Sequence, residues 1–329
     1  MNDRLFLGPL RPEDLPFITS VPVAEVPGCC FVASGHHALR LLARSLRLAP
    51  GSRVALPAMI CPTVPAALRA EGLLPAFVDL TPDGYVMDFD RERFYQAGYD
   101  LIVLPHLYGL PHPRTAEIVD FARNSGIPLI HDAAQSLGLE WEGQPIIRLD
   151  QGGFYSFGAG KAGTAATGAL ACGIDPGLME RLGLDDWRLW DPASRDFMRR
   201  RMGLPGRDWL AWLRSDSFRA SRIQVWAACR VLERLPVIEE GRRRNWRRLR
   251  DLLGHELYGD PPERISCYKF VMHARQPLRL PPEWSAVPVR SVTRHPASPG
   301  LPVYETFPGA LYEISTERSL EEYAGMDPS

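Results

Sequence analysis

The sequence carries almost no net charge: 38 lysines and arginines stand against 39 aspartates and glutamates, for a formal net charge of -1 at pH 7. A chain so balanced projects no field that would gather nucleic acid or an anionic membrane, and small polar molecules are the expected partners. Long hydrophobic runs are missing as well. None reaches the roughly 18 residues that span a bilayer. The opening stretch MNDRLFLGPLRPEDL has neither the cationic nor the apolar region of a signal peptide, so a cytoplasmic protein is expected. The six cysteines (29, 30, 61, 172, 229 and 267) form no CxxC pair. Three lie in apolar runs, which points to buried, reduced thiols and away from a metal site.

What is present is an ordinary globular composition. With 45% hydrophobic residues over 329 positions, the chain can bury one large α/β domain and a smaller one. After a proline-rich segment, Cys29 to Ala33 reads as a strand that meets Ser34-Gly35. A helix follows, with Leu39, Leu42, Ala43 and Leu46 on one face and Arg40, Arg44 and Arg47 elsewhere. Strands at 54–56, 76–80, 101–104 and 127–131 then alternate with helix-length segments, the pattern of parallel strands joined by crossovers. A strand pair follows at 153–157 and 168–172. Beyond Ile174 come tryptophan-rich and arginine-rich helices, with clear periodicity at 223–235 and 241–253, and 260–329 is proline-rich with short strand candidates such as 268–274. The expected organisation is an N-terminal segment (1–27), a large domain (28–235) and a small C-terminal domain (236–329).

Between the strand pair lies YSFGAGKAGT (155–164), which has three readings. As a GxGxxG dinucleotide turn it needs a multi-turn helix next and an acid about 20 residues on. Only ten residues separate Lys161 from Cys172, and the last of them read as strand, so no helix fits. As a P-loop it needs Gly five residues before the Gly160-Lys161 pair and Ser or Thr after it; Tyr155 and Ala162 stand there instead. The third reading makes Lys161 a covalent anchor for a cofactor.

That reading draws support from IPLIHDAAQSLG, which sets Asp132 just past a buried parallel strand, where ligands gather in open α/β sheets. A carboxylate there needs a cation. The protonated ring nitrogen of pyridoxal phosphate (PLP) is such a cation, and an aspartate that keeps it protonated makes the ring an electron sink. Ser34-Gly35-His36-His37 opens a helix in the way a phosphate requires, and Ser156 adds a hydroxyl near the lysine. An amine at Lys161 would move the proton, once its usual pKa of about 10.4 is lowered.

Read in order, ASGHHAL (33–39), FVDLTPDGYVMD (77–88), LPHLYG (104–109), HDAAQSLG (131–138) and FYSFGAGK (154–161) resemble the landmark blocks of the DegT/DnrJ/StrS family, over roughly residues 28 to 235. The family comprises PLP-dependent nucleotide-sugar aminotransferases of fold type I. The resemblance implies a mostly parallel central sheet flanked by helices, with a smaller C-terminal α/β domain. It implies Lys161 as the Schiff-base lysine, Asp132 as partner of the pyridinium nitrogen and Gln135 near the phenolic oxygen. Gly35, His36 and Ser156 would form the phosphate cradle. SDSFRAS (215–221) is similar to the segment that reaches a neighbouring subunit's phosphate, with Ser217 where asparagine is usual and Arg219 matching the arginine. A homodimer with shared sites, a keto substrate and an amino donor such as glutamate follow.

The sequence departs from that pattern at Cys61, where the family usually stacks an aromatic ring on the cofactor, at His36 in place of threonine, at Ser217, and in an abbreviated C-terminal region where only AVPVRS (286–291) resembles the start of the sugar-facing segment. Elimination, decarboxylation or condensation on the same cofactor therefore stays open, as does a non-catalytic relative. Taken singly, the residues have ordinary explanations. Lysine in a Gly/Ala-rich loop is usually solvated. Asp132 could cap a helix over AAQSL, leaving Gln135 as an exposed helix residue. His36 and His37 fit a structural pair, and GRRRNWRRLR is expected as a solvated or interface-facing surface rather than a nucleic-acid site. Trp187, Trp190, Trp209 and Trp212 suit a core, a dimer contact or a pocket wall.

Overall fold

The computed structural model describes residues 28–82, 86–158, 161–162, 167–184 and 215–253, and the backbone of three further strands at 269–274, 286–288 and 310–315. The opening segment, Cys267 and the tryptophans at 187, 190, 209 and 212 lie outside the described residues.

Strand β1 (Cys29–Val32) leads through Ser34 into α1 (Gly35–Ser45), whose start is fixed by the Ser34 hydroxyl accepting the His37 N–H. Then follow β2 (Arg53–Pro57), α2 (Thr63–Ala70), β3 (Leu74–Val78), α3 (Arg91–Ala97), β4 (Leu101–Pro105), α4 (Thr115–Ser125) and β5 (Leu129–Asp132). A short hairpin, β6 (Glu140–Trp141) with β7 (Gln144–Pro145), precedes β8 (Gly153–Ser156) and β9 (Ala169–Cys172). After α5 (Pro176–Leu182) the chain resumes with α6 (Arg222–Glu233) and α7 (Leu235–Leu253). Strands β10 (Lys269–Ala274), β11 (Ala286–Pro288) and β12 (Ala310–Ser315) form a separate antiparallel sheet in the order β10-β12-β11.

The large sheet has seven strands in the order β1-β9-β8-β5-β4-β2-β3. Strands β3, β2, β4, β5 and β8 pair in parallel, while β9 runs antiparallel to both its neighbours. Central strands β4 and β5 are buried throughout, as their continuous apolar runs LIVL and LI require of a parallel sheet covered on both faces. Alternation sorts their side chains. Ile130 and Phe154 point into the cluster around Leu39 and Leu42 of α1, and Tyr155 and Phe157 into the cluster around Trp246 and Leu249 of α7.

One expectation needs correction. Cys29 and Cys172 are facing partners in the β1–β9 ladder, with Cα atoms 4.0 Å apart, and are joined by a disulfide. Their sequence separation of 143 residues hides this pairing from any spacing rule. Cys30 and Cys229 are buried free thiols, whereas Cys61 is exposed. Arg40 is only 2% exposed. It is enclosed because its Nε donates to Glu71 Oε1 (2.6 Å) and its Nη2 to Asp216 Oδ1 (2.8 Å), and a buried guanidinium is tolerated when its donors are used in this way.

Candidate active site

The parallel strands β5 and β8 end side by side, and each ends on a polar residue. Asp132 closes β5 at 7% exposure. Its Oδ1 accepts the Ala134 N–H at 3.0 Å, so it caps a turn; the helix expected over AAQSL is absent, because the chain turns at Ser136 and Leu139 instead. Burial pushes the Asp132 carboxyl above the ordinary range, while the Ala134 hydrogen bond and the charge of Lys161 pull it back. The lysine and the acid therefore interact electrostatically.

Ser156 closes β8 at 8% exposure. Its hydroxyl accepts the Gly158 N–H at 3.3 Å, and the Lys161 N–H donates to the Gly158 carbonyl at 3.2 Å. Ser156 also faces the start of α1. A Cβ placed on Gly35 would come within 3.2 Å of Ser156 Oγ, Ser156 Cβ and Phe154 Cε2. Glycine there lets the first turn of a helix, with its outward N–H groups, approach a hydroxyl directly, which is the geometry of an anion cradle.

Gln135 lies half-buried beside this row. Its Oε1 accepts the Tyr108 N–H at 3.0 Å; a backbone N–H can meet only the oxygen, so the amide orientation is set and its two donors point elsewhere. His36 and Cys61 converge on Thr63. The His36 Nδ1–H donates to the Thr63 carbonyl at 3.0 Å, and Cys61 Sγ lies 3.2 Å from Thr63 Oγ1. Ser217 belongs to a segment laid beside β1: Ala33 N–H donates to the Phe218 carbonyl, Val32 bridges Arg219, and the Ser217 N–H donates to Ser215 Oγ. Arg219 Nε donates to the Leu182 carbonyl at the end of α5, within its own chain.

The structure adds residues that the sequence reading missed. Behind Asp132 runs a buried hydrogen-bonded chain. The His112 N–H donates to His106 Nδ1 (3.1 Å), so the His106 proton sits on Nε2 and donates to His131 Nδ1 (3.0 Å). His131 Nε2 then donates to Asp150 Oδ2 (3.0 Å), whose other oxygen takes Arg123 Nε (2.8 Å). Burial holds His106 well below its ordinary pKa and lowers His112 to about 4, so both rings are neutral; His131 and Arg123 hold the Asp150 carboxyl below the usual range against its burial. His106 further donates its N–H to the Asp132 carbonyl and accepts Ser136 Oγ at its own carbonyl. A second network, Arg40 and Arg44 with Glu71 and Asp216, stacks both guanidinium groups on Phe218 at 4.9 and 4.8 Å and so fixes the Ser217 segment to α1. The third is Arg242, in the basic run expected to be solvated or interface-facing: it is wholly buried and donates to the Ala162 carbonyl. Its spacing to Trp246 and Leu249 was the available signal, since those positions share one helix face.

Comparison with known proteins gives this geometry a setting. The chain is 31% identical over 186 residues to a UDP-N-acetyl-3-dehydro-alpha-D-glucosamine 3-aminotransferase of Acidithiobacillus ferrooxidans, covering 54% of this chain and 47% of that protein. It is 33% identical over 139 residues to a 3-oxo-glucose-6-phosphate:glutamate aminotransferase of Bacillus subtilis, covering 41% and 31%. The matches span about half, or less, of the length of these relatives. Among solved structures, an aminotransferase from Streptoalloteichus hindustanus superposes with a TM-score of 0.65 at 18% identity, covering 90% of this chain and 83% of that one. A DegT DnrJ EryC1 StrS aminotransferase from Brucella abortus gives 0.65 at 19%, covering 96% and 88%. These likenesses establish the fold, that of the fold type I aminotransferases. The family profile matches residues 23–266, most of the sequence, and the chain belongs to the DegT/DnrJ/EryC1/StrS aminotransferase family.

Proposed function

We propose that the protein is a PLP-dependent aminotransferase that moves an amino group from a donor such as glutamate to a keto substrate, sugar-like or of another biosynthetic class. The observation that carries this reading is the convergence of Asp132, Lys161 and the Gly35–Ser156 cradle at one sheet edge. The fit is chemical as well as spatial. The cradle offers a helix start and a hydroxyl to a phosphate, and a Cβ at Gly35 would press against that hydroxyl. Asp132 is a buried acid that needs a cation to stay ionised. Bound there, PLP would supply an electron sink for the carbon bearing the amino group.

The remaining work falls to the chain. Asp132, held in place by the Ala134 N–H, would keep the ring nitrogen protonated. Gln135, its oxygen committed to Tyr108, would direct N–H donors at the phenolic oxygen. Ser156 and the first turn of α1 would bind the phosphate, and Lys161 Nζ would carry the proton between substrate carbon and cofactor. Exposed Cys61 and buried His36, joined through Thr63, would border the cofactor's ring. The Bacillus subtilis relative is named for a glutamate donor and an oxo sugar phosphate, which supports the donor and acceptor classes.

The same reading takes 28–235 as the cofactor-binding unit and 236–329 as the smaller one. It pairs two copies so that Ser217 of one serves the other's phosphate. No described helix is long and apolar enough to cross a membrane. A cytoplasmic site of action belongs to the reading, although the Cys29–Cys172 disulfide weighs against a reducing compartment.

The test is a half-reaction. Protein loaded with PLP and mixed with glutamate should lose its visible absorbance and release 2-oxoglutarate in equal amount. Loss of carbon dioxide, or no change with any amino donor, would redirect the assignment to another PLP reaction or to a binding role.

A further inference from the structure

Arg242 lies on α7 with no solvent exposure. Helical spacing explains how it came to be buried: Arg242, Trp246 and Leu249 share a face, and Trp246 and Leu249 sit in the same core cluster as Ala162, Phe157 and Tyr155. It does not explain why an arginine stands there. Core filling alone calls for leucine or methionine, since a guanidinium taken out of water is costly unless its donors are used. One of its donors meets the carbonyl of Ala162, the residue directly after Lys161.

Ala162 is thereby fixed twice, with its methyl in the core and its carbonyl on Arg242. On the other side Lys161 is wound onto Gly158. Lys161 thus lies between two backbone points that are held in place. One turn earlier on the same helix, Glu239 lies against Gly138, where the backbone is left-handed (φ +83°) and a Cβ would collide with the Glu239 carboxylate. Gly138 ends the turn that starts at Asp132. Helix α7 therefore touches both the loop that bears the amine and the back of the block that bears the acid.

We propose that Arg242 is a positioning residue for Lys161, holding the loop at the distance from Asp132 that the cofactor needs, with α7 as the rigid bar between the two. This rests on the PLP reading above and extends it to a residue that touches neither substrate nor cofactor.

The test compares wild type, R242M, R242K and R247M, the last an exposed position on the same helix. Three quantities are read: thermal unfolding of the PLP-free protein, the dissociation constant for PLP, and the visible circular dichroism of the bound cofactor. R242M should bind PLP ten- to a hundredfold more weakly, roughly the effect of losing one charge-assisted hydrogen bond, with an altered dichroic band. R242K restores the charge without the planar fork and should fall between, and R247M should match wild type. An R242M protein that melts earlier yet keeps wild-type affinity and band reduces Arg242 to a core residue and overturns the proposal. If R242M does not fold, R242K decides: weakened binding supports the proposal, and wild-type binding overturns it. A wild-type protein that takes up no PLP sinks the parent reading and this inference with it. Lys161 labelled in wild type beside an unaltered R242M sinks the inference alone.

Discussion

Asp132 ends a buried strand and is locked through its own backbone and its neighbours' side chains, whereas Lys161 is followed directly by Ala162, whose carbonyl is held from a helix more than seventy positions later. The acid's neighbourhood is a filled lattice. His106 bonds the Asp132 carbonyl, Ser136 bonds His106, Gln135 bonds Tyr108, and the His106–His131–Asp150 chain braces the reverse face of the sheet. On the amine's side, the Gly158 carbonyl takes the Lys161 N–H and Arg242 takes the Ala162 carbonyl. The difference suits the chemistry. A carboxylate that tunes a ring nitrogen should not move. An amine that is bonded to the cofactor and then freed to shuttle a proton must swing while its backbone stays put.

The comparison can be broken first at the amine. Lys161→Ala should lower amino transfer by about 10⁴-fold, the upper range for a proton-moving group, while leaving the melting temperature near wild type, because the side chain is not part of the core; a rate within tenfold of wild type would contradict the assignment. The phosphate end should respond in stability instead. Glu71→Ala leaves Arg40 buried with one carboxylate partner fewer, and unfolding by urea should show a loss of about 3–5 kcal/mol. A neutral outcome would mean that Asp216 alone suffices.

The acid's lattice should show a middle-sized effect. His106→Leu strands the buried His131 Nδ1 and should cost about 1–3 kcal/mol by urea unfolding, with a smaller effect on PLP affinity than on stability. The same histidines sharpen the comparison by titration. The pKa values of His106 and His112 in the folded protein are depressed by burial, so the stability they contribute is full above the unfolded value of about 6.5 and is lost as pH falls toward the folded values. Histidine ring proton resonances followed by NMR should show His112 titrating at about 4 and His106 titrating well below 6.5. Titration of either near 6.5 would mean the chain is hydrated.

Smallest in consequence is the thiol count. Six cysteines less the two in the Cys29–Cys172 bond leaves four, so denatured, unreduced protein should react with four equivalents of a thiol reagent. Six would return these residues to the reduced state.

Much of this was legible in the sequence for a physical reason. Buried parallel strands must be continuous apolar runs, and the polar residue that ends such a run marks the ligand edge of the sheet, so Asp132 and Ser156 could be placed before any coordinates. The Ser34 cap and the glycine beside it were equally plain. What escaped were features set by partners far along the chain. Strand β12 pairs with β10 across a long gap, and the short helix RERFYQA (91–97) is too brief for periodicity to declare it. The run holding Arg242 reads as solvated or interface-facing because charge is the default sign of a surface, and the burial of Arg40 and Arg242 follows only from the carboxylates and the carbonyl that meet them, contributed from elsewhere. Arg242 alone carried a local hint, its i, i+4 spacing to Trp246.

The central claim is that one PLP molecule bridges Lys161 and Asp132. Reduction of PLP-loaded protein with borohydride, followed by peptide mass analysis, tests it most directly: the account predicts a single pyridoxyl-phosphate increment on the peptide containing Lys161, sharply reduced in Asp132→Ala. An increment on another lysine, or none at all on wild-type protein saturated with PLP, would contradict it.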